Sequence, residues 1–83
     1  MNNIAEKPMD REGSPVDSLS DRELQVFQLI GRGYKSLQIA NVLNIGVKTV
    51  ESYREQIKVK LNLDHSSQLT QYAIEWVHTE THV

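Results

Sequence analysis

The chain has 83 residues, no cysteine, and nine Lys and Arg against eleven Asp and Glu, which gives a formal net charge of −2. This length allows one small domain, and the lack of cysteine excludes a disulfide framework, thiolate metal ligands and a thiol nucleophile. No stretch approaches the roughly 20 apolar residues of a membrane span, and the N-terminus lacks the charged and apolar regions of a signal peptide. We therefore expect a soluble, cytoplasmic protein.

Residues 1–18 are predicted to be a flexible leader or a linker from an upstream domain. They contain two prolines, a glycine and six charged residues, and they show no apolar period. Residues 78–83 are predicted to be a frayed tail. The acidic excess lies in these two segments, because residues 19–77 hold seven bases against six acids. The expected folded domain is therefore 19–77, and it is close to neutral.

The first predicted helix starts at Ser20, where Ser20 and Glu23 match the S-x-x-E capping box and Leu19 is placed as a hydrophobic staple. Its buried side is predicted from apolar residues at helical spacing: Leu24, Val26, Phe27, Leu29 and Ile30. Gly31-Arg32-Gly33 ends the helix.

Residues 35–61 contain two helical patterns separated by a short turn, which is the spacing of a helix-turn-helix. The first pattern has a narrow apolar stripe: Ile39, Ala40 and Leu43. Ser36 is its predicted N-cap, and this helix N-terminus, with Lys35 beside it, is also able to bind a phosphate. Capping needs no ligand, so both interpretations of Ser36 stay open. Gly46 is expected to provide the positive φ or the cap conformation of the reversal.

A longer helix is predicted over residues 47–61. At 100° per residue, one side carries the apolar residues Val50, Tyr53, Ile57 and Leu61. The opposite side carries Lys48, Glu51, Ser52 and Glu55. Burial of the apolar side therefore turns the polar side outward. Arg54 and Lys58 lie on one flank, from which long basic side chains can reach the walls of a groove.

Asp64 or a nearby serine is predicted to cap the fourth helix. This helix carries an apolar stripe at helical spacing: Leu69, Tyr72, Ala73 and Trp76. Ile74 and Val77 lie outside the stripe, so the helix has more apolar surface than one contact needs. The surplus suggests a second contact, whereas the simpler interpretation is that Trp76 covers the bottom of the core.

These elements predict an all-α fold, a four-helix bundle that contains a helix-turn-helix. Catalysis finds no support, because the sequence shows no nucleophile with a base in view and no glycine-rich phosphate loop. His65, His78 and His82 form no metal-ligand spacing with carboxylates. We predict no enzyme activity, no metal and no cofactor.

The order and spacing of five short motifs over residues 19–77 resembles the LuxR-type helix-turn-helix domain. The motifs are Leu19-Ser20-x-Arg22-Glu23, Ile30-x-x-Gly33, Ile39-Ala40-x-x-Leu43-x-Ile45, Lys48-Thr49-Val50 and Lys60-Leu61. Such domains are the DNA-binding output modules of NarL/FixJ-like response regulators and of the GerE group. The resemblance implies the output domain of a bacterial transcription regulator of a two-component system, with an upstream receiver domain. It also implies sequence-specific binding of double-stranded DNA, with residues 47–61 in the major groove.

The resemblance places phosphate contacts at Lys48 and Thr49. Helix position adds four further candidates for phosphate contact: Lys35, Ser36, Arg54 and Lys58. Base edges would be contacted by Glu51, Ser52 and Glu55, and carboxylates there favour C·G pairs. For Glu55 an ion pair with Lys58 on a solvated face is an equal alternative.

In this family the fourth helix is commonly the dimerisation element. The resemblance therefore implies a homodimer on a pseudo-palindromic operator, formed through Leu69, Tyr72, Ala73 and Trp76. In addition, Arg22 and Glu23 are expected to be structural.

An alternative function is a degenerate helix-turn-helix scaffold that serves as a protein-interaction or dimerisation module without DNA binding. Leu37 stands where the family commonly has a lysine, and Ser66 stands where an arginine is frequent. The acidic Glu51 and Glu55 and the net charge of −2 also favour this alternative.

Overall fold

The computed structural model describes residues 15–81. A 3-10 helix over Pro15–Ser18 is followed by four α-helices: α1 (Asp21–Gly31), α2 (Ser36–Leu43), α3 (Val47–Lys60) and α4 (Ser66–Thr81). Residues 15–81 contain no strand, and α2 and α3 form the helix-turn-helix. The all-α, four-helix prediction is confirmed, and α3 ends one residue before the predicted boundary.

The folded region is wider than the predicted 19–77. Val16 lies in the 3-10 helix and is buried in the core, so the part of the leader from residue 15 onward belongs to the domain. At the other end, α4 continues to Thr81, past the predicted start of the tail. The rest of the predicted leader, 1–14, and the last two residues of the predicted tail lie outside the described residues.

The N-terminus of α1 is closed by the predicted capping box. The Ser20 hydroxyl accepts the Glu23 N–H at 3.2 Å, and a Glu23 carboxylate oxygen accepts the Ser20 N–H at 2.8 Å. The same carboxylate oxygen accepts a hydrogen bond from the Lys60 ammonium at 2.7 Å. Because Lys60 is the last residue of α3, this ion pair ties the start of α1 to the end of α3.

The charge of Glu23 is stabilised despite its burial. Burial would raise the pKa of this carboxyl, but the Lys60 ammonium and the hydrogen bonds from Ser20 outweigh that effect, so the pKa lies below its ordinary value. The predicted structural role of Glu23 is consistent with this arrangement. Its partner Lys60 lies 37 positions further along the chain, so the local sequence pattern did not identify it.

The turn between α2 and α3 combines a left-handed asparagine with a glycine cap. Asn44 takes the left-handed conformation, with φ of 57°, as the C-cap of α2. Gly46 is the N-cap of α3 and has an ordinary φ of −77°, so of the two roles expected for Gly46 it has the cap conformation and not the positive φ. Asparagine is one of the few residues with a side chain that tolerates this conformation.

Two predicted caps are also corrected. Ser36 is the first residue of α2, and its N-cap is Lys35, whose N–H donates to the Gln38 side-chain oxygen at 2.8 Å. At the start of α4, the Gln68 side-chain oxygen accepts the N–H groups of Asp64 and His65 at 2.7 and 3.0 Å. In both places a glutamine inside the first turn binds the backbone that precedes it, in place of the predicted Ser or Asp side chain.

The core lies where α1 packs on α3 and α4. Its fully buried large side chains come from every α-helix: Val26, Phe27, Ile30, Ile39, Val50, Ile57 and Leu69. Phe27 contacts the rings of Tyr72 and Trp76, with centroid distances of 5.9 and 5.5 Å. Glycine lets α1 approach α4 closely, because a Cβ on Gly31 would lie 2.4 Å from the Ala73 carbonyl oxygen.

Candidate nucleic-acid interface

The exposed side of α3 is the first part of the candidate interface. Val50 and Ile57 are completely buried on the opposite side, and this burial fixes the rotation of the helix. The polar residues that were predicted to face outward are all exposed: Lys48, Glu51, Ser52 and Glu55. We call these four residues the outer face of α3. Since no other part of residues 15–81 covers it, a ligand can approach this face directly.

The N-terminus of α3 is open as well. Gly46, its N-cap, has no side chain to bind the first-turn N–H groups, and the first turn holds no acidic residue. Lys48 and Thr49 are exposed there. Among residues 15–81, no group accepts a hydrogen bond from the N–H of Val47, Lys48 or Thr49. Free N–H groups, a helix dipole and an ammonium group together favour an anion at this position.

A cleft of about 290 Å³ brings together three of the predicted phosphate-binding residues: Lys35, Ser36 and Arg54. The cleft also touches the end of α1 at Ile30, and Thr70 lines it from α4. The Arg54 side chain is only 14% exposed, because it lies along the cleft wall. The helical period placed Arg54 on the flank of α3, but it could not show that this flank adjoins the start of α2.

Each glutamate of the outer face has a basic partner three residues later. Glu55 lies 3.0 Å from the Lys58 ammonium, and Glu51 lies 4.0 Å from the Arg54 guanidinium. The Lys58 side chain is 14% exposed, as is that of Arg54. Such pairs contribute only a few tenths of a kcal/mol. The ion pair predicted as the alternative for Glu55 is present, and the contact of Glu55 with a base remains a prediction.

The residues that were predicted to form the dimer contact are used inside the monomer. Leu69 and Ala73 are completely buried, and Tyr72 and Trp76 pack against Phe27 of α1. Leu69 and Ala73 therefore belong to the core and present no surface to a partner chain, whereas Tyr72 and Trp76 are half-buried. The predicted dimer contact is wrong for Leu69 and Ala73, because α1 packs on the side of α4 that carries them. Ile74, outside the stripe, is exposed.

The described part of the chain shows neither a metal site nor a membrane-spanning helix. Within residues 15–81, no group of three or more His, Asp and Glu side chains is arranged to hold a metal ion. None of the described helices combines the length and the apolar character needed to cross a membrane. The basic residues, the uncapped helix and the outer face therefore form the main candidate site of the described region.

Comparison with known proteins supports the same interpretation. Residues 17–73 match the family described as "Bacterial regulatory proteins, luxR family". The chain is 43% identical over 61 residues to the oxygen regulatory protein NreC of Staphylococcus epidermidis, covering 74% of this chain and 28% of NreC. It is 43% identical over 65 residues to the response regulator UvrY of Escherichia coli K12, covering 78% of this chain and 30% of UvrY.

The chain thus spans less than a third of the length of these two relatives. No solved structure matches it.

Proposed function

This chain belongs to the luxR family of bacterial regulatory proteins, and from that premise we propose that it binds specific sequences of double-stranded DNA with α3 in the major groove. The family domain is a DNA-binding helix-turn-helix of transcription regulators. The observation that carries the proposal is the open side of α3. Its outer face and its uncapped N-terminus are both exposed, and an α-helix fits the width of the major groove.

Phosphate groups on the two walls of the groove would be bound by two sets of basic and hydroxyl groups. Lys48 and Thr49 bind one phosphate at the free N–H groups of the α3 N-terminus. Lys35, Ser36 and Arg54 bind a phosphate that enters the cleft they line, and Lys58 adds a contact from the flank. These contacts supply affinity and fix the position of α3, but they do not distinguish sequences.

Base edges would be contacted by Glu51, Ser52 and Glu55, whose side chains point away from the core on the outer face. A serine hydroxyl pairs with several bases, whereas a carboxylate accepts only from amino groups. The sequence preference therefore rests mainly on the two glutamates.

Two copies on a pseudo-palindromic operator would supply affinity that one nearly neutral domain lacks. Because the core takes the Leu69 and Ala73 side chains, the contact between copies would use the exposed side of α4, which includes Ile74. The relatives carry long additional regions, and one of them is named a response regulator. We propose that this domain likewise serves as the output of a cytoplasmic two-component regulator whose receiver domain lies upstream.

Fluorescence anisotropy with random and selected duplexes at several salt concentrations tests the proposal. We expect binding to random duplex near 10⁻⁵ M at low salt, and a log-log salt slope of about −3 to −4 for roughly four phosphate contacts, doubled for a dimer. The absence of binding to every duplex at low salt would overturn the proposal and favour the protein-interaction alternative.

Replacing Lys48 with alanine tests whether the N-terminus of α3 faces the DNA groove. The Lys48→Ala variant should weaken binding to all sequences about equally and reduce the magnitude of the salt slope by about 1, because one phosphate contact is lost. Arg22→Ala is the matched control, since Arg22 is an exposed base on α1 beside the end of α3 that is far from Lys48. Equal effects of the two substitutions would show that only net charge matters and that α3 does not face DNA.

A further inference from the structure

The two glutamates of the outer face carry information about the DNA that this domain selects. We infer that the preferred half-site contains two C·G pairs no more than two base pairs apart, one contacted by Glu51 and the other by Glu55. This inference rests on the proposed function, and it adds the chemical identity of the bases to it.

The choice of cytosine follows from the chemistry of a carboxylate. An ionised carboxylate can only accept hydrogen bonds. In the major groove, guanine presents two acceptors and thymine presents one, so both repel it, whereas cytosine presents its N4 amino group as a donor. Adenine offers a donor beside an acceptor, and a side chain that both donates and accepts, such as glutamine, matches it better. Cytosine is therefore the base that suits Glu51 and Glu55.

The spacing follows from the helix. Both side chains are accessible from outside despite their ion pairs, with exposed fractions of 54% for Glu51 and 68% for Glu55. Four residues along an α-helix rise about 6 Å and return to nearly the same side. Base pairs follow one another at about 3.4 Å along the duplex. The two carboxylates therefore meet bases that are one or two base pairs apart.

The basic partners make two acidic side chains tolerable near DNA. Glu51 with Arg54 and Glu55 with Lys58 repeat one arrangement, in which an acid on the outer face is followed three residues later by a base on the flank. Each pair is neutral as a unit, so the outer face does not add two uncompensated negative charges between the phosphate strands.

Selection from a random duplex pool tests the inference with the wild-type chain, Glu51→Gln, Glu55→Gln and a control. The wild-type motif should contain the two C·G pairs. Glu51→Gln should change one of them toward A·T, because glutamine pairs with adenine, and leave the other unchanged; Glu55→Gln should do the reverse. The control is Asp21→Asn, which removes an exposed acid from the first turn of α1, outside α3 and outside the exposed side of α4. It should leave the motif intact.

A modified duplex tests the hydrogen bond itself. With N4-methylcytosine at one of the two positions, the amino hydrogen that faces the groove is replaced, and wild-type affinity should fall about tenfold. The variant with glutamine at the matching position should lose no more than about twofold.

A selected motif without two C·G pairs in this spacing, or glutamine variants with the wild-type motif, would overturn the inference while DNA binding itself stands. If the wild-type chain bound no duplex at all, the proposed function would fail together with the inference, and the two failures are distinguished by the random-duplex titration.

Discussion

Helices α1 and α3 both bury an apolar side in the core but have opposite kinds of ends. The N-terminus of α1 is closed by Ser20 and Glu23, and its last residue, Gly31, lies against the backbone of α4. Helix α3 is held at its C-terminus by the Lys60 ion pair, but its N-terminus has no side-chain cap. The domain thus satisfies the polar groups at the start of α1 with its own side chains and leaves those of the α3 N-terminus without a side-chain partner, as the proposed phosphate contact requires.

The glutamates of the two helices show the same contrast. The Glu23 side chain is 5% exposed and binds both the backbone and Lys60, so it stabilises the fold. Glu51 and Glu55 are exposed and form only weak intrahelical pairs. Removing Glu23 should therefore change stability, and removing either of the others should change recognition.

The largest expected effect is at the end of α1. Gly31→Ala would place a Cβ 2.4 Å from the Ala73 carbonyl oxygen and 2.5 Å from a Val77 methyl group. Backbone atoms cannot move aside cheaply, so we expect a loss of about 3 kcal/mol in the free energy of unfolding. Urea unfolding followed by circular dichroism measures it.

Gly46→Ala is the control for this substitution. A Cβ there meets only the Thr49 hydroxyl at 3.9 Å, so the cost should stay below about 1 kcal/mol, which reflects the preference for glycine over alanine at an N-cap. Similar losses for both variants would contradict the close contact between α1 and α4.

The second effect concerns Glu23 and depends on pH. Glu23→Gln keeps the size of the side chain but removes its charge, so at pH 7 it should cost about 1.5 kcal/mol through the weakened bonds to Lys60 and Ser20. The folded pKa of Glu23 is lowered, so its contribution is complete above the unfolded pKa of about 4.3 and is lost as pH falls through the folded pKa.

The difference between wild type and Glu23→Gln should therefore shrink as the pH falls from neutral through the folded pKa of Glu23. Parallel thermal unfolding of both proteins across this range measures it. A difference that stayed constant over the whole range would mean that the charge of Glu23 contributes nothing to stability.

The smallest expected effect is that of a substitution that caps the N-terminus of α3. Gly46→Asp supplies the missing cap without a steric clash, and should raise stability by a few tenths of a kcal/mol. The new carboxylate would occupy the place of a phosphate, so binding to DNA should weaken severalfold in the anisotropy titration. Gly46→Ser, which caps without charge, is the comparison. Unchanged DNA binding in Gly46→Asp would argue that no phosphate lies at this terminus.

Local patterns in the sequence determined the helices and their inner sides. The capping box at Ser20 and Glu23 involves residues three apart, and the buried side of α3 follows from its period, so both were predicted correctly. Local sequence patterns were less accurate where several residue types can adopt the same backbone conformation or bind the backbone near a helix end. The left-handed residue of the turn is Asn44, while Gly46 is the N-cap of α3. Ahead of α2 and α4, glutamine side chains bind the preceding backbone N–H groups, and no serine or aspartate caps α2.

Only the tertiary structure decided which surfaces meet. The apolar stripe of α4 looked the same whether a partner chain or α1 covered it, and the packing of Phe27 between Tyr72 and Trp76 assigns it to the core. Likewise, the Glu23–Lys60 pair and the cleft that joins Arg54 to Lys35 link residues far apart in the chain. Helical periodicity gives the direction of a side chain about its own axis, whereas the neighbour it meets depends on how separate helices pack.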